Sequence, residues 1–386
     1  MKRILFILSV IILSGCKQSL DHYLTPNFKQ KHLNSASLLF KDTIKIPVPQ
    51  ESMDSYFMHT DLLEDRFIYG FGMYSPLSMS VFDLNKKEFL NLVNFDRHLL
   101  NAMQIVNFKV ISPDSIILTT NFNSSIFFVD RKGQIIDRWT GESLNISETE
   151  DVYIAEIGCS ISSNSRLENL SYDKSSNLLY IPLGVDNILS LDYVNAKRHG
   201  VYNLSQKKWQ VLYGAYEGTL KHTNKGRYFY DMEYSYQLIT PDYIYISYPV
   251  DHSVYIYDKT TFKLKEVKDI SPSMATKTPA PLYDLDVEDD RKLNNLRRAA
   301  PFYGPLYYHE SINKFSRFYN EAKKENRPAQ RAIIIYDSDF NILEERAFPI
   351  QQISHIQPSP AGFIIQPYQM ESDTAIFVRV DIIDKL

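Results

Sequence analysis

Apolar residues along this chain fall in short runs of strand length separated by turn residues, and one such arrangement is written twice. VISPDSIILTTNFNSSIFFVD, residues 110–130, aligns without a gap on LITPDYIYISYPVDHSVYIYD, residues 238–258, at a shift of 128. Ile111 falls over Ile239, Pro113-Asp114 over Pro241-Asp242, Ile116 over Ile244, Ser125 over Ser253 and Asp130 over Asp258. In the first copy FKVIS leads to a Pro-Asp turn, SIILTT follows, and a polar loop reaches SSIFFVD. Arg131-Lys132-Gly133 then supplies a hairpin turn, with Gly where a positive φ is needed, and QIIDRWT makes a fourth run. Four runs rich in Ile, Val, Phe, Tyr and Thr, joined by tight turns, predict a four-stranded antiparallel meander.

Other stretches follow the same template. DRFIYGFG with LSMSVFDLNKKEFLNLV (65–93), LENLSYDKSSNLLYIPLG with HGVYNLSQKKWQVL (167–212), GPLYYHESINKFSRFY with RAIIIYDSDFNILEERAF (304–348) and GFIIQPY with TAIFVRVDII (362–383) bring the units to six. A polar residue marks the end of each third strand, at Asp83, Asp130, Asn203, Asp258, Asp337 and Asp381, with spacings of 47, 73, 55, 79 and 44. Those intervals match propeller blades with two insertions. A lone unit would expose an apolar sheet face, and radial stacking buries it. The last unit stops after its third strand, while DTIKIPVP (42–49) is a strand-like run with no unit of its own. The expected fold is therefore all-β: a six-bladed β-propeller of four-stranded antiparallel blades, closed by an N-terminal strand that completes the C-terminal blade and removes an open edge. A β-sandwich is the alternative, and it leaves the spare strand and the six-fold count without a role.

The longest insertion, residues 271–304, starts polar and Pro-rich; VEDDRKLNNLRRAA then sets Val287, Leu293 and Leu296 between early acidic residues and Arg297-Arg298. That order suits a helix dipole and predicts a short amphipathic helix, either a lid or partner-docking element over one propeller face or an excursion packed on the rim.

Composition narrows the class. With 44% hydrophobic and 13% aromatic residues in 386, the chain can bury a large core, and its formal charge of −4 carries no basic cluster. Nucleic acid is not an expected partner. Of the two cysteines, Cys159 reads as a buried structural thiol, and the fold must stand without disulfides.

The other cysteine sits in MKRILFILSVIILSGC. Lys2 and Arg3 precede an apolar run over residues 4–13, too short to span a bilayer and suited to a signal peptide. Leu13-Ser14-Gly15-Cys16 resembles the bacterial lipobox, which implies cleavage before Cys16 and lipidation of its thiol and amine. The layout that follows is a signal peptide over 1–15, a lipidated cysteine and tether over 16–40 and a propeller over 41–386. Lys17, rather than Asp, after the cysteine resembles outer-membrane sorting. Surface export resembles an acidic cluster in that place, where KQSLDH offers only Asp21. A protein facing the periplasm is expected, with surface display as the alternative. Lipobox, propeller pattern and segments such as LSYDKSSNLLYIPL and YGPLYYHESINKFSRFY together resemble the six-bladed β-propeller lipoproteins of Bacteroidota, a family classed as a domain of unknown function. The resemblance implies the fold and the anchor and no activity. At His309 it departs from the Asp that such relatives, and this chain's own Asp173, carry after the tyrosine.

Chemistry-bearing motifs are few. Asp284, Asp286 and Glu288 alternate like a calcium loop, but Asp289 and Asn295 stand where that loop needs Gly and Glu. No metal spacing and no nucleophile elbow appears, so no metal, cofactor or catalytic residue is assigned. Twenty-seven tyrosines suit both sheet packing and sugar stacking. Tyr230 and Tyr234, in the cluster GRYFYDMEYSYQ ahead of unit four, and Tyr303, Tyr307, His309 and Arg317, around the start of unit five, are the candidate ligand contacts of a central channel. Two functions remain open: an envelope lipoprotein whose propeller binds a protein or a small-molecule or glycan ligand, and a glycan lyase or hydrolase whose site is assembled at the channel from several blades.

Overall fold

The computed structural model describes residues 23–24, 33–49, 57–72, 77–95, 105–120, 126–139, 159–161, 170–185, 195–217, 234–273, 275, 278–279, 299–322, 329–349, 353–367 and 373–385. Two strands, β1 (Tyr23–Leu24) and β2 (Ala36–Pro47), precede the first full sheet. Blade one is β3 (Phe57–Leu63), β4 (Phe67–Gly72), β5 (Ser78–Asp83) and β6 (Glu88–Asn94). Blade two is β7 (Ile105–Ser112), β8 (Ser115–Thr120), β9 (Ile126–Val129) and β10 (Ile135–Trp139). In blade three β11 (Cys159–Ile161) and β12 (Ser171–Asp173) share an edge of β13 (Leu178–Val185), which continues to β14 (His199–Asn203) and β15 (Lys208–Tyr213). Blade four is β16 (Tyr236–Ile239), β17 (Tyr243–Ser247), β18 (Ser253–Asp258) and β19 (Leu264–Asp269). A two-residue strand, β20 (Thr278–Pro279), pairs with β1 outside these sheets. Blade five is β21 (Phe302–His309), β22 (Lys314–Asn320), β23 (Gln330–Tyr336) and β24 (Ile342–Pro349). Blade six holds β25 (Ile353–Ser359), β26 (Gly362–Pro367) and β27 (Thr374–Asp384), and its fourth strand is β2.

The expected six-bladed propeller is thus the fold, and the core proves that it closes. Buried side chains separate into six clusters, one between each pair of neighbouring blades, including Ile44 and Phe377 of blade six against Phe57 and Phe82 of blade one. The duplicated stretch shows how alternation builds this. Ile116 and Leu118 of β8 pack toward blade one while Ile117 packs toward blade three. At the equivalent places in β17, Ile244 and Ile246 pack toward blade three and Tyr245 toward blade five. Middle strands are covered on both sides and so read as unbroken apolar runs. Each such Ile, fully buried, contributes about 1.5–3 kcal/mol from area removed from water. Outer strands are covered less, and β19 reads LKEVKD with every residue exposed or half-exposed.

Closure runs from Ala36↔Asp384 to Pro47↔Thr374. The strand expected from residue 42 onward begins earlier, at Ala36, because a bulge between Phe40 and Thr43 breaks the alternation and joins two paired segments. The marker residues cap the hairpin between third and fourth strands. Asp83, Asp130, Asp258 and Asp337 each accept two backbone N–H groups of the following turn through Oδ1, and Asn203 accepts one from Gln206. An Asx side chain therefore recurs because it satisfies donors the turn leaves unpaired. Asp381 differs, lying within β27 and pairing its carboxylate with Lys41 of the closing strand. Gly133 takes the expected positive φ, 78°, and an added Cβ would stand 2.0 Å from the Asn94 carbonyl oxygen of blade one.

The start of the long insertion lies against the outer edge of blade five, where the Ser273 amide and hydroxyl donate to Glu345 Oε2 of β24 at 2.9 and 2.7 Å. Residues 280–298, which carry most of the expected helix and the calcium-like acidic residues, lie outside the described residues.

Candidate functional site at the propeller axis

The first strand of every blade is innermost, and the six of them surround a cavity of 420 Å³. Blade one contributes His59, Thr60 and Asp61, and blade two Asn107, Phe108 and Lys109. Ser171, Gln237, Tyr307 and His355 with Gln357 enter from blades three, four, five and six. Asn320 and Arg331, one and two strands further out in blade five, also reach it. A second hollow of 540 Å³ sits among the turns of blades three and four, around Asp173, Asp242 and Lys259, where Lys259 is already paired with Asp173 at 3.1 Å. The axial cavity is the better candidate because all six blades converge on it.

Its polar groups also join blades. Thr60 donates its hydroxyl proton to Gln357 Oε1 at 2.9 Å, so its 2.6 Å contact with His355 Nε2 requires the imidazole to donate. That fixes the Nε2–H tautomer and leaves Nδ1 as the ring's acceptor. Burial, helped by the charges of His59 and Arg331, pushes the His355 pKa down to about 3, so the ring is neutral near pH 7. Asp61, nearly inaccessible, accepts from Lys109 Nζ at 2.8 Å, Val110 N at 2.7 Å and Leu62 N at 3.1 Å. Gln237 donates to the Tyr180 carbonyl and accepts from the Tyr213 hydroxyl, joining blade four to blade three. Arg331 donates through Nε to Asn320 Oδ1 at 2.7 Å and through Nη1 to the Ile353 carbonyl at 3.3 Å.

The sequence-predicted contacts divide between the cavity and the joints behind it. Tyr307 lines the cavity with its ring edge-on to Phe318, and burial raises its pKa. Tyr234 lies half-buried beside Tyr236, whose ring borders the cavity, at 5.6 Å between centroids. Tyr303 and Arg317 are packed away between blades four and five. The Arg317 guanidinium stacks 4.5 Å over the Tyr303 ring and donates to the carbonyls of Gly304, Tyr248, Asp251 and His252. Full burial lowers its pKa. His309 is likewise fully buried, with Nδ1 2.9 Å from the Ser359 carbonyl and Nε2 2.8 Å from Ser316 Oγ. Desolvation pushes its pKa down to about 4, and the neutral ring donates from Nδ1 to blade six. Tyr230 and Cys16 lie outside the described residues, and Cys159 is placed only through the backbone of β11.

Sequence reasoning did not single out Thr60, Asp61, Asn107, Lys109, Gln237, His355 or Gln357. A signal existed: each is a polar residue set inside a short, otherwise apolar strand, as in FMHTDLL, IVNFKVIS, YQLI and ISHIQPS. A polar break on the innermost strand marks the axis.

Asp61 is the one carboxylate lining the cavity among the described residues, and three donors already hold it. Among those residues there is also no cluster of three metal-ligating side chains. Neutral His355, Tyr307 and the amides offer hydrogen bonds and ring faces. The molecule is therefore a closed six-bladed propeller with a polar and aromatic axial pocket. The sequence profile of the family described as "Domain of unknown function (DUF4221)" matches residues 35–347, and the chain belongs to that family. A crystal structure of a member of the same family from Bacteroides vulgatus is similar to it with a TM-score of 0.68 and 13% identity, covering 92% of this chain and 100% of that one. At that identity the likeness speaks for the fold. No curated protein matches the chain.

Proposed function

We propose that this protein is a binding module of the cell envelope, held by lipid on Cys16 at the outer membrane and facing the periplasm, whose axial cavity takes a small polar ligand. The observation that carries the reading is the meeting of groups from six blades in one 420 Å³ space. Pockets of that size, with a few placed polar groups among ring faces, suit small molecules. The rings of Phe302, Tyr307 and Tyr308 beside the amide of Gln357 favour a sugar, which offers a flat apolar face and a rim of hydroxyls. The anchor rests on the resemblance of Leu13-Ser14-Gly15-Cys16 to a lipobox. A glycan lyase or hydrolase in the same channel draws less support, since hydrolysis by a carboxylate pair needs a second free acid.

Calorimetric titration with a panel of neutral and amino sugars and their short oligomers tests the pocket. Saturable heat is expected with the parent protein and lost in Ser171→Trp, which fills the cavity from its wall. Binding unchanged by that substitution, or no heat across the panel, overturns the reading. Radiolabelled palmitate incorporation that survives Cys16→Ser would overturn the anchor separately.

A further inference from the structure

The approach of the chain to the ring is built into one part of its rim. Tyr23 and Leu24 pair with Pro279 and Thr278 of the insertion. The insertion is fastened to β24 through Ser273 and Glu345. Leu33 N then donates to the Ile342 carbonyl of the same strand at 2.7 Å, and Lys385 N donates to Ser35 O at 2.8 Å beside the start of β2. Cys16 and Tyr23 are seven residue steps apart, which span at most about 25 Å fully extended. A lipid on Cys16 is thereby tethered, through Tyr23, to the insertion that is fastened to blade five.

The outer edge of blades five and six is also where apolar side chains stand unburied. Of the eight large hydrophobic residues exposed among the described residues, four are Leu33, Leu39, Phe40 and Ile383, all beside the closing strands. The Phe40 ring meets Phe348 of β24 edge-on at 6.0 Å, and the Arg346 guanidinium covers both rings at 5.3 and 5.6 Å. Aromatic rings with a long cationic side chain folded over them suit a bilayer interface, where the stem meets acyl chains and the head stays in water.

We infer that the outer edge of blades five and six is the face that rests on the lipid bilayer, so that the propeller axis lies along the membrane and both mouths of the axial cavity stay open to the aqueous phase. This rests on the lipid anchor proposed above. Apolar contact of this kind adds a second attachment to the acyl chains.

The test reconstitutes the full-length protein, purified from membranes, into phosphatidylethanolamine–phosphatidylglycerol vesicles that carry a photoactivatable acyl-chain diazirine, and maps the cross-links by mass spectrometry. Ile136 of β10 is an internal control: at 61% exposed it is the most accessible of those eight side chains, and it lies on blade two, opposite blade five in the ring. Cross-links several-fold denser on residues 33–41 and on Ile383 than around Ile136 support the inference. Acyl chains present in the intact mass with cross-links no denser on that edge than at Ile136 overturn the orientation and leave the anchor standing. An intact mass without acyl chains overturns both.

Discussion

Mild acid is expected to loosen the ring before its carboxylates take up protons. His199, His309 and His355 are neutral in the fold, their pKa values pushed down to about 3, 4 and 3, with desolvation the largest cause in each. Each lies at a joint between blades: His199 on Ser235 of blade four, His309 on Ser359 of blade six, His355 on Thr60 of blade one. In the unfolded chain a histidine titrates near 6.5. The folded values lie below the unfolded one, so the contribution is complete above about pH 6.5 and is lost as the pH falls toward the folded values. At about pH 5 each histidine has given up about 2 kcal/mol, and the three together about 6 kcal/mol, comparable with the whole stability of many domains. Asp83, held down to about 2 by Arg66, loses its contribution only below about pH 4, so the two windows separate. Urea unfolding followed by the fluorescence of Trp139 and Trp209 across that range measures the slope. His309→Gln, which keeps a donor for Ser359, is expected to remove about one of the three protons from it. Stability that stays flat between about pH 6.5 and 5, or a slope indifferent to His309→Gln, would refute the reasoning.

Two further substitutions probe the joints. Gly133→Ala forces a side chain into left-handed backbone and against the Asn94 carbonyl; a loss of at least about 2 kcal/mol is expected in thermal melts. Arg317→Ala strips a donor from four carbonyls at once, three of them in fully buried bonds; at least about 3 kcal/mol should be lost in chemical denaturation, and Arg317→Lys, with fewer donors, should recover only part of it.

How much of this could be read from the sequence depended on which side of a strand meets what. Ile116 to Leu118 and Ile244 to Ile246 are pressed between two blades, so strand pattern and burial coincide and the repeat is plain. The first strands of blades one and six, FMHTDLL and ISHIQPS, went unlocated because one of their faces borders a polar cavity, where His59, Thr60, His355 and Gln357 interrupt the apolar run. The same interruption hid the site. Tyrosine clusters drew attention to the start of unit five, yet only pairing across the ring separates Tyr307, on the cavity, from Tyr303 and His309 behind it. Single residues from six distant strands share no local spacing.

The pairing of β2 with β27 has a consequence for how the polypeptide is made. Ile44 waits for Phe377, a partner 333 positions later, so the closing sheet cannot zip until the strand that ends at Asp384 has been synthesised. Contacts of such long range form slowly. Throughout that delay the earliest strand is a bare edge, open to pairing with a neighbouring nascent chain. A stop placed just before Ile382 would leave Ala36, Ser37 and Leu38 without their partners Asp384, Ile383 and Ile382. A polypeptide lacking those residues would keep that part of the seam open, with unpaired backbone within reach of proteases.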